Sequence, residues 1–270
     1  MINGTRNLLS LLCITAVILG CLVLYPKNGV APLIEKMVME KEITSISENL
    51  SGITWDPVSK KLLAVSNQPA QLFQLDLHGH VLHAIMLPDK LDTESVSFLD
   101  SNNFLIAEER KRQITIIELS IDKESYITLD SQLIFNLGGK PNSGIEGIAF
   151  SQKNNVLFIA NEKHPACIYK IEGVIQRGSK ALQIEKIYSS INDISGLAWS
   201  ENLQRLYVLS EEDKSVVEIS SNGRILRASV LSDFVKNIPQ PEGIAIHNER
   251  IYIVSEPNLF YVFDMKPETH

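Results

Sequence analysis

The chain has few cysteines, a deficit of basic charge and none of the familiar catalytic signatures, and each shortage narrows what it can be. Three cysteines occur in 270 residues. Cys13 and Cys21 fall in an N-terminal apolar run, so Cys167 stands alone in the remainder and no disulfide can staple it. Cys167 sits mid-strand with no base nearby in sequence, and it reads as a small core residue rather than a reactive thiol. Lys and Arg number 25 against 32 Asp and Glu. The first 32 residues carry Arg6 and Lys27 and no acid, which leaves 23 basic and 32 acidic groups, a net of −9, on the other 238. That balance argues against a nucleic-acid partner, because phosphate binding needs a basic face, and it suits a cation. No phosphate loop, dinucleotide fingerprint or nucleophile elbow occurs. A Ser/His/Asp triad cannot be assembled from these spacings, and no linker or low-complexity stretch marks a domain boundary.

What the sequence does contain is a repeat. Ser51-Gly52-Ile53, Glu94-Ser95-Val96, Glu146-Gly147-Ile148, Ser195-Gly196-Leu197 and Glu242-Gly243-Ile244 follow one another at steps of 43, 52, 49 and 47 residues. A period of about 40 to 50 residues with strand-like content marks a β-propeller, one blade per repeat. Each phrase opens a period-two alternation. Large residues stand at one set of positions (Ile53 and Trp55, Val96 and Phe98, Ile148 and Phe150, Leu197 and Trp199, Ile244 and Ile246), with Gly, Ala, Ser or Thr between them. A strand packed on both sides near a crowded axis would look like this.

A second strand follows in each repeat and ends in a polar pair: Ser66-Asn67, Glu108-Glu109, Asn161-Glu162, Ser210-Glu211 and Ser255-Glu256. Third strands are expected at Gln71–Leu75, Gln113–Leu119, Cys167–Ile171, Ser215–Ile219 and Asn258–Phe263. Turn signals such as Asp76-Leu77-His78-Gly79 and Ser221-Asn222-Gly223 introduce a fourth. The last repeat ends too early for a fourth strand. The segment Ile34–Ile46 is expected to supply it beside Asn258–Asp264, since a ring left open would expose an unpaired edge. The reading is an all-β, five-bladed propeller over residues 33–270, after an N-terminal apolar helix within residues 1–32.

Leu8–Tyr25 is an 18-residue apolar run interrupted only by Ser10, Thr15 and Gly20, about the length needed to span hydrocarbon. Three fates stay open: an uncleaved anchor with the propeller in the periplasm, a cleaved signal peptide, or a lipoprotein modified at Cys21.

The phrases "NLSGITWDP…KLLAVSNQPAQLFQLDLHG", "IEGIAF…LFIANEKHP", "DISGLAWS…LYVLSEEDKSVVEIS" and "PEGIAI…IYIVSEPNLFYVF" resemble the SdiA-regulated family, the YjiK-like proteins of bacteria, over about residues 33–270. The resemblance implies a five-bladed propeller, distantly akin to NHL-repeat propellers, outside the cytoplasm and with a bound calcium ion. It implies no established activity, although some related propellers are metal-dependent hydrolases or lactonases.

Equivalent positions in a ring come together around one axis. Glu94, Glu146 and Glu242 start innermost strands, while Asn67, Glu109, Glu162, Glu211 and Glu256 end the antiparallel neighbours, so both sets belong to one rim. Carboxylates gathered this way repel, and burial raises the cost. A hard divalent cation resolves the conflict, and calcium takes six to eight oxygen ligands. Glu146 and Glu242 carry the full Glu-Gly-Ile phrase and are the expected core of a calcium site, with Glu94, Glu162, Glu211 and Glu256 as further ligands. Zinc is disfavoured because no histidine occupies the repeated polar positions; His164 is the one near the rim. Glu108–Arg112 reads as a charged loop held by mutual pairing. Two functions fit: a membrane-tethered, calcium-binding scaffold of the bacterial envelope, or a metal-dependent hydrolase in which the ion polarises a carbonyl or phosphoryl oxygen and a rim glutamate is the general base.

Overall fold

In a computed structural model of the chain, residues 29–88, 92–134, 144–174, 183–188 and 191–268 are described, with the side chains of 130–134 and of 183 left aside. The expected helix at Leu8–Tyr25 lies outside these residues. Among the described residues no helix is long and apolar enough to cross a membrane.

Five four-stranded antiparallel units account for most of the described residues. Their innermost strands are Leu50–Asp56, Thr93–Asp100, Ile145–Ser151, Gly196–Ser200 and Gln240–His247, in blades 1 to 5. Each packs beside the innermost strand of the next blade, and blade 5 returns to blade 1, so the ring closes. All five innermost strands run in the same sense along the central channel.

The second strands explain why the ring holds. They read Leu62-Leu63-Ala64-Val65, Phe104-Leu105-Ile106-Ala107 and so on, with no polar interruption, because both faces are buried. Leu62 and Ala64 join the apolar cluster shared with blade 5, whereas Leu63 and Val65 join the one shared with blade 2. Period-two geometry sends alternate side chains to opposite neighbours. Five such clusters fill the five interfaces between blades. The phrase positions obey the same rule: Ile53, Val96, Ile148, Leu197 and Ile244 all pack toward the preceding blade. The small face turns to the following blade at close range. A Cβ on Gly243 would lie 2.7 Å from the Ser51 carbonyl oxygen and 2.6 Å from Val254 Cγ2, so only glycine admits this approach of two inner strands.

Closure is non-covalent. Ile34–Glu42 pairs antiparallel with Leu259–Met265, from Ile34 opposite Met265 to Glu42 opposite Leu259, as the truncated last repeat requires. The chain also adds a feature that no repeat foretells. Ala31–Pro32 pairs in parallel with the outer strand Ile225–Val230 of blade 4, and Ser229 Oγ accepts the N–H groups of Leu33 and Ile34 at 3.0 and 2.9 Å. The N-terminal strand thus grips two blades. Behind it Arg227 and the fully buried Glu218 form an ion pair, with Tyr207 Oη donating to Glu218 at 3.1 Å and Arg227 donating to the Lys266 carbonyl at 2.6 Å. Cys167 is fully buried and free, a core residue.

Candidate metal centre

The innermost strands begin at one end of the channel, and that end is acidic. In four blades the ladder slips at the phrase residue. Leu50 pairs with Ser66 but Gly52 with Val65, Thr93 with Glu108 but Ser95 with Ala107, Ile145 with Asn161 but Gly147 with Ala160, and Pro241 with Ser255 but Gly243 with Val254. Ser51, Glu94, Glu146 and Glu242 are therefore the extra residues of four equivalent β-bulges. A bulge leaves its residue out of the ladder and re-aims the side chain, which frees these groups from the blade interfaces.

The three glutamates among them gather at a cavity of about 270 Å³. All six glutamates singled out from the sequence, Glu94, Glu146, Glu162, Glu211, Glu242 and Glu256, line it. With Asp193 that makes seven lining carboxylates, against Lys163 as the only basic group among the described lining residues; Asn67, Ser195 and Gln240 complete it. Within the ring the carboxylates are unevenly spaced. Asp92, Glu94 and Glu109 form one group of three, Glu109, Glu146 and Glu162 another, with ligand oxygens within 4.8 Å of each other in each group. Glu109 is common to both. Glu211, Glu242 and Glu256 share the cavity but belong to neither group.

Glu109 is held for this role. Its Oε1 accepts the N–H of Gly144 at 3.1 Å, tying the second strand of blade 2 to the start of blade 3. A Cβ at position 144 would stand 2.2 Å from the Glu109 carbonyl oxygen, so a side chain there would push the two apart. Asn67 Nδ2 donates to Glu94 Oε1 at 2.9 Å. Asp193 accepts the Ser210 hydroxyl and the N–H groups of Glu211 and Glu212 at 2.9 and 3.1 Å. Lys163 reaches Glu162 at 3.0 Å and Glu212 at 2.9 Å, Lys214 reaches Glu211 at 2.8 Å, and Arg110 reaches Asp92 at 2.8 Å. Lys111 pairs with Glu108 at 2.7 Å, so the run 108–112 is paired within itself at that point, while Arg110 reaches out to Asp92 and Glu109 turns to the acidic groups. His164 is not among the lining residues.

Burial and crowding push the acids toward the protonated form. Burial raises Glu146 well above the usual carboxylate range, and Glu94, Glu109, Glu162 and Glu242 add to it. Glu242 is pushed up to about 8 by burial, then by Glu256, Glu94, Glu211 and Asp193. Glu94 rises to about 7, chiefly by burial and against the Asn67 hydrogen bond. Burial also lifts Glu109, Glu256 and Asp193. Each of these shifts records a charged form that lacks a compensating positive charge. The donors are oxygens, mostly carboxylate, with no histidine or thiolate among them. That set fits a hard, oxygen-seeking divalent cation and not zinc.

Asp92 and Asp193 were invisible to a reading that began at the phrase. Both stand two residues before it, in Asp92-Thr93-Glu94 and Asp193-Ile194-Ser195, and Gln240 holds the same offset before Glu242. Extending the repeat alignment by two residues exposes them.

The family model described as SdiA-regulated matches residues 28–264. The chain belongs to the SdiA-regulated family. Among solved structures this family member resembles a luciferin-regenerating enzyme at 11% identity and a TM-score of 0.56, over 86% of this chain and 98% of that one. It also resembles a calcium-binding protein, regucalcin, from Agrobacterium tumefaciens at 13% identity and a TM-score of 0.55, over 89% and 97%. A chain of the nidogen/laminin complex matches at 12% identity and a TM-score of 0.51, over 77% and 73%. At such identities the likeness is one of fold.

Proposed function

We propose that this chain is a calcium-binding propeller, held to the bacterial inner membrane by Leu8–Tyr25 with its body in the periplasm, that serves as a binding or scaffolding module. The observation that carries the calcium reading is the pair of three-carboxylate groups sharing Glu109, semi-buried and aimed by bulges and by Gly144. Glu94, Glu109, Glu146 and Glu162 would hold the ion, and the regucalcin-like fold supports the choice of calcium. The apolar run and the family resemblance support the tether. Elemental analysis of the purified protein, with thermal melts in calcium and in chelator, tests the site. A ligand at 100 times its dissociation constant adds about 2.7 kcal/mol, or roughly 5–10 °C for a domain of this size. Identical melts and no bound metal would end the calcium reading. Alkaline phosphatase fused after His270 should be active; an inactive fusion would reverse the topology. Palmitate labelling abolished by Cys21→Ala would establish the lipoprotein form instead.

A second reading, metal-dependent hydrolysis, is favoured by one feature: Glu242, Glu211 and Glu256 face the same cavity outside both groups. Glu211 is paired with Lys214, which leaves Glu242 and Glu256 to act as a base on water. A screen of lactones and phosphoesters decides it. Activity lost in Glu242→Gln while calcium still stabilises that variant would make the protein an enzyme.

A further inference from the structure

The opposite end of the channel has its own chemistry. Four residues beyond each phrase start stand Trp55, Phe98, Phe150 and Trp199, with Ile246 in blade 5. Because the innermost strands run parallel around one axis, equal offsets bring these groups to one height, about 13 Å from the acidic end at ~3.3 Å per residue. They line a second cavity of about 580 Å³, within the size range of small-molecule sites. Exposed hairpin residues, including Pro57 and Glu249, form its mouth. Each ring packs on one side against an inter-blade cluster and turns another toward the cavity, Phe150 least of all at 8% exposed. Trp55, Phe98 and Trp199 stay half-buried, whereas core aromatics such as Phe104 and Phe158 are at most 2% exposed.

The charged lining has one sign. Glu201 and Glu249 belong to the wall, and no lysine or arginine does among the described residues. Glu201 is fixed by Gln204 Nε2 at 3.1 Å and by the Lys153 N–H at 3.3 Å. His247 stacks on Trp55 at 3.6 Å with the rings 17° apart, and burial lowers its pKa, so it brings little positive charge at neutral pH. Aromatic faces attract cations, and the acidic protein as a whole raises their local concentration.

We propose that this aromatic end binds small organic cations with an apolar body, such as quaternary ammonium compounds, between Trp55, Phe98, Phe150 and Trp199, with Glu201 and Glu249 facing the charge. The site is separate from the acidic end and does not depend on what binds there.

Trp55 and Trp199 are the only tryptophans in the chain, so fluorescence excited selectively in tryptophan and not in tyrosine reports on this end of the channel. The purified protein in chelator is titrated with benzyltrimethylammonium, the neutral benzyl alcohol and the anionic benzylsulfonate. Saturable change with the cation, about tenfold weaker binding of the alcohol and none of the sulfonate are expected. Phe98→Leu keeps apolar volume but removes a ring face; it should weaken the cation about threefold to fivefold and leave the alcohol unchanged. Glu201→Gln with Glu249→Gln, both changes at the mouth, should bring the cation toward the affinity of the alcohol. Equal binding of cation and anion, or no change up to ~10 mM, where a millimolar site would be nearly saturated, overturns the proposal. Because chelator is present throughout, neither result depends on the calcium site.

Discussion

The N–H of Gly144 and the Oε1 of Glu109 are 3.1 Å apart, and this hydrogen bond holds the one carboxylate that both acidic groups share. Gly144→Ala should therefore act at a distance from any ligand. Its Cβ, 2.2 Å from the Glu109 carbonyl oxygen, would displace the strand that presents Glu109. The expected result is a folded protein, destabilised by about 1–3 kcal/mol, whose melting temperature no longer responds to calcium. Melts with calcium and with chelator check both parts.

Glu146→Gln should have opposite effects in the two conditions. Without metal it puts a neutral amide where burial and the crowding of Glu94, Glu109, Glu162 and Glu242 disfavour the carboxylate, so the variant should melt at or above the wild type, by about 2–4 °C per kcal/mol of relieved cost. With calcium it should melt below the wild type, because a ligand is gone. A variant that is destabilised equally in both conditions would make Glu146 a structural cap.

The pH dependence should also change sign with calcium. Glu94 and Glu242 have folded values of about 7 and about 8, above the unfolded carboxylate value near 4.3. Their protonated forms therefore favour folding below that value, and this contribution fades as pH rises through 7 to 8. Metal-free protein should melt higher at pH 5.5 than at pH 8.5. Calcium requires the ionised carboxylates, so its stabilisation should be small at pH 5.5 and grow toward pH 8.5. Scanning calorimetry across that window in both conditions is the measurement.

Arg227→Leu tests the grip on the N-terminal strand. Glu218 is fully buried and would lose its charge partner, which costs about 3–5 kcal/mol, or roughly 6–20 °C in melting temperature at this chain length. Replacing Arg227 and Glu218 together by apolar residues should recover most of the loss, as a double-mutant cycle would show.

The blades were legible because burial in them is local and periodic: Leu62-Leu63-Ala64-Val65 needs both faces covered whatever covers them. The closing strand was legible too, since the last repeat lacked one and Ile34–Ile46 was unassigned, although the strand itself ends at Glu42. The arrangement of the acids was not. Glu146 and Glu242 share a phrase, yet Glu146 groups with Glu109 and Glu162 while Glu242 stands apart in the same cavity, because grouping depends on how neighbouring blades meet. The bulges at Ser51, Glu94, Glu146 and Glu242 also left no mark in a pattern that counts residues. Trp55 and Trp199 were read as the large face of a packed strand, and period-two logic cannot tell a ring that fills a core from one that walls a cavity.

Ile34 stands opposite Met265, at the far end of a third strand that runs in the same sense as the inner ones, and this gives the molecule a polarity. The chain joins the body on the outer strand of blade 5, at the same end of the blades as the aromatic mouth. With the proposed anchor ending at Tyr25, the five residues 26–30 would allow a leash of at most about 17 Å. The aromatic mouth would then look down on the lipid headgroups, while the acidic mouth would face the open compartment about 20 Å further out, across six residues of strand. One disc would present two faces to two solvents, a small inorganic ion sampled from the water and an amphiphile from the interface.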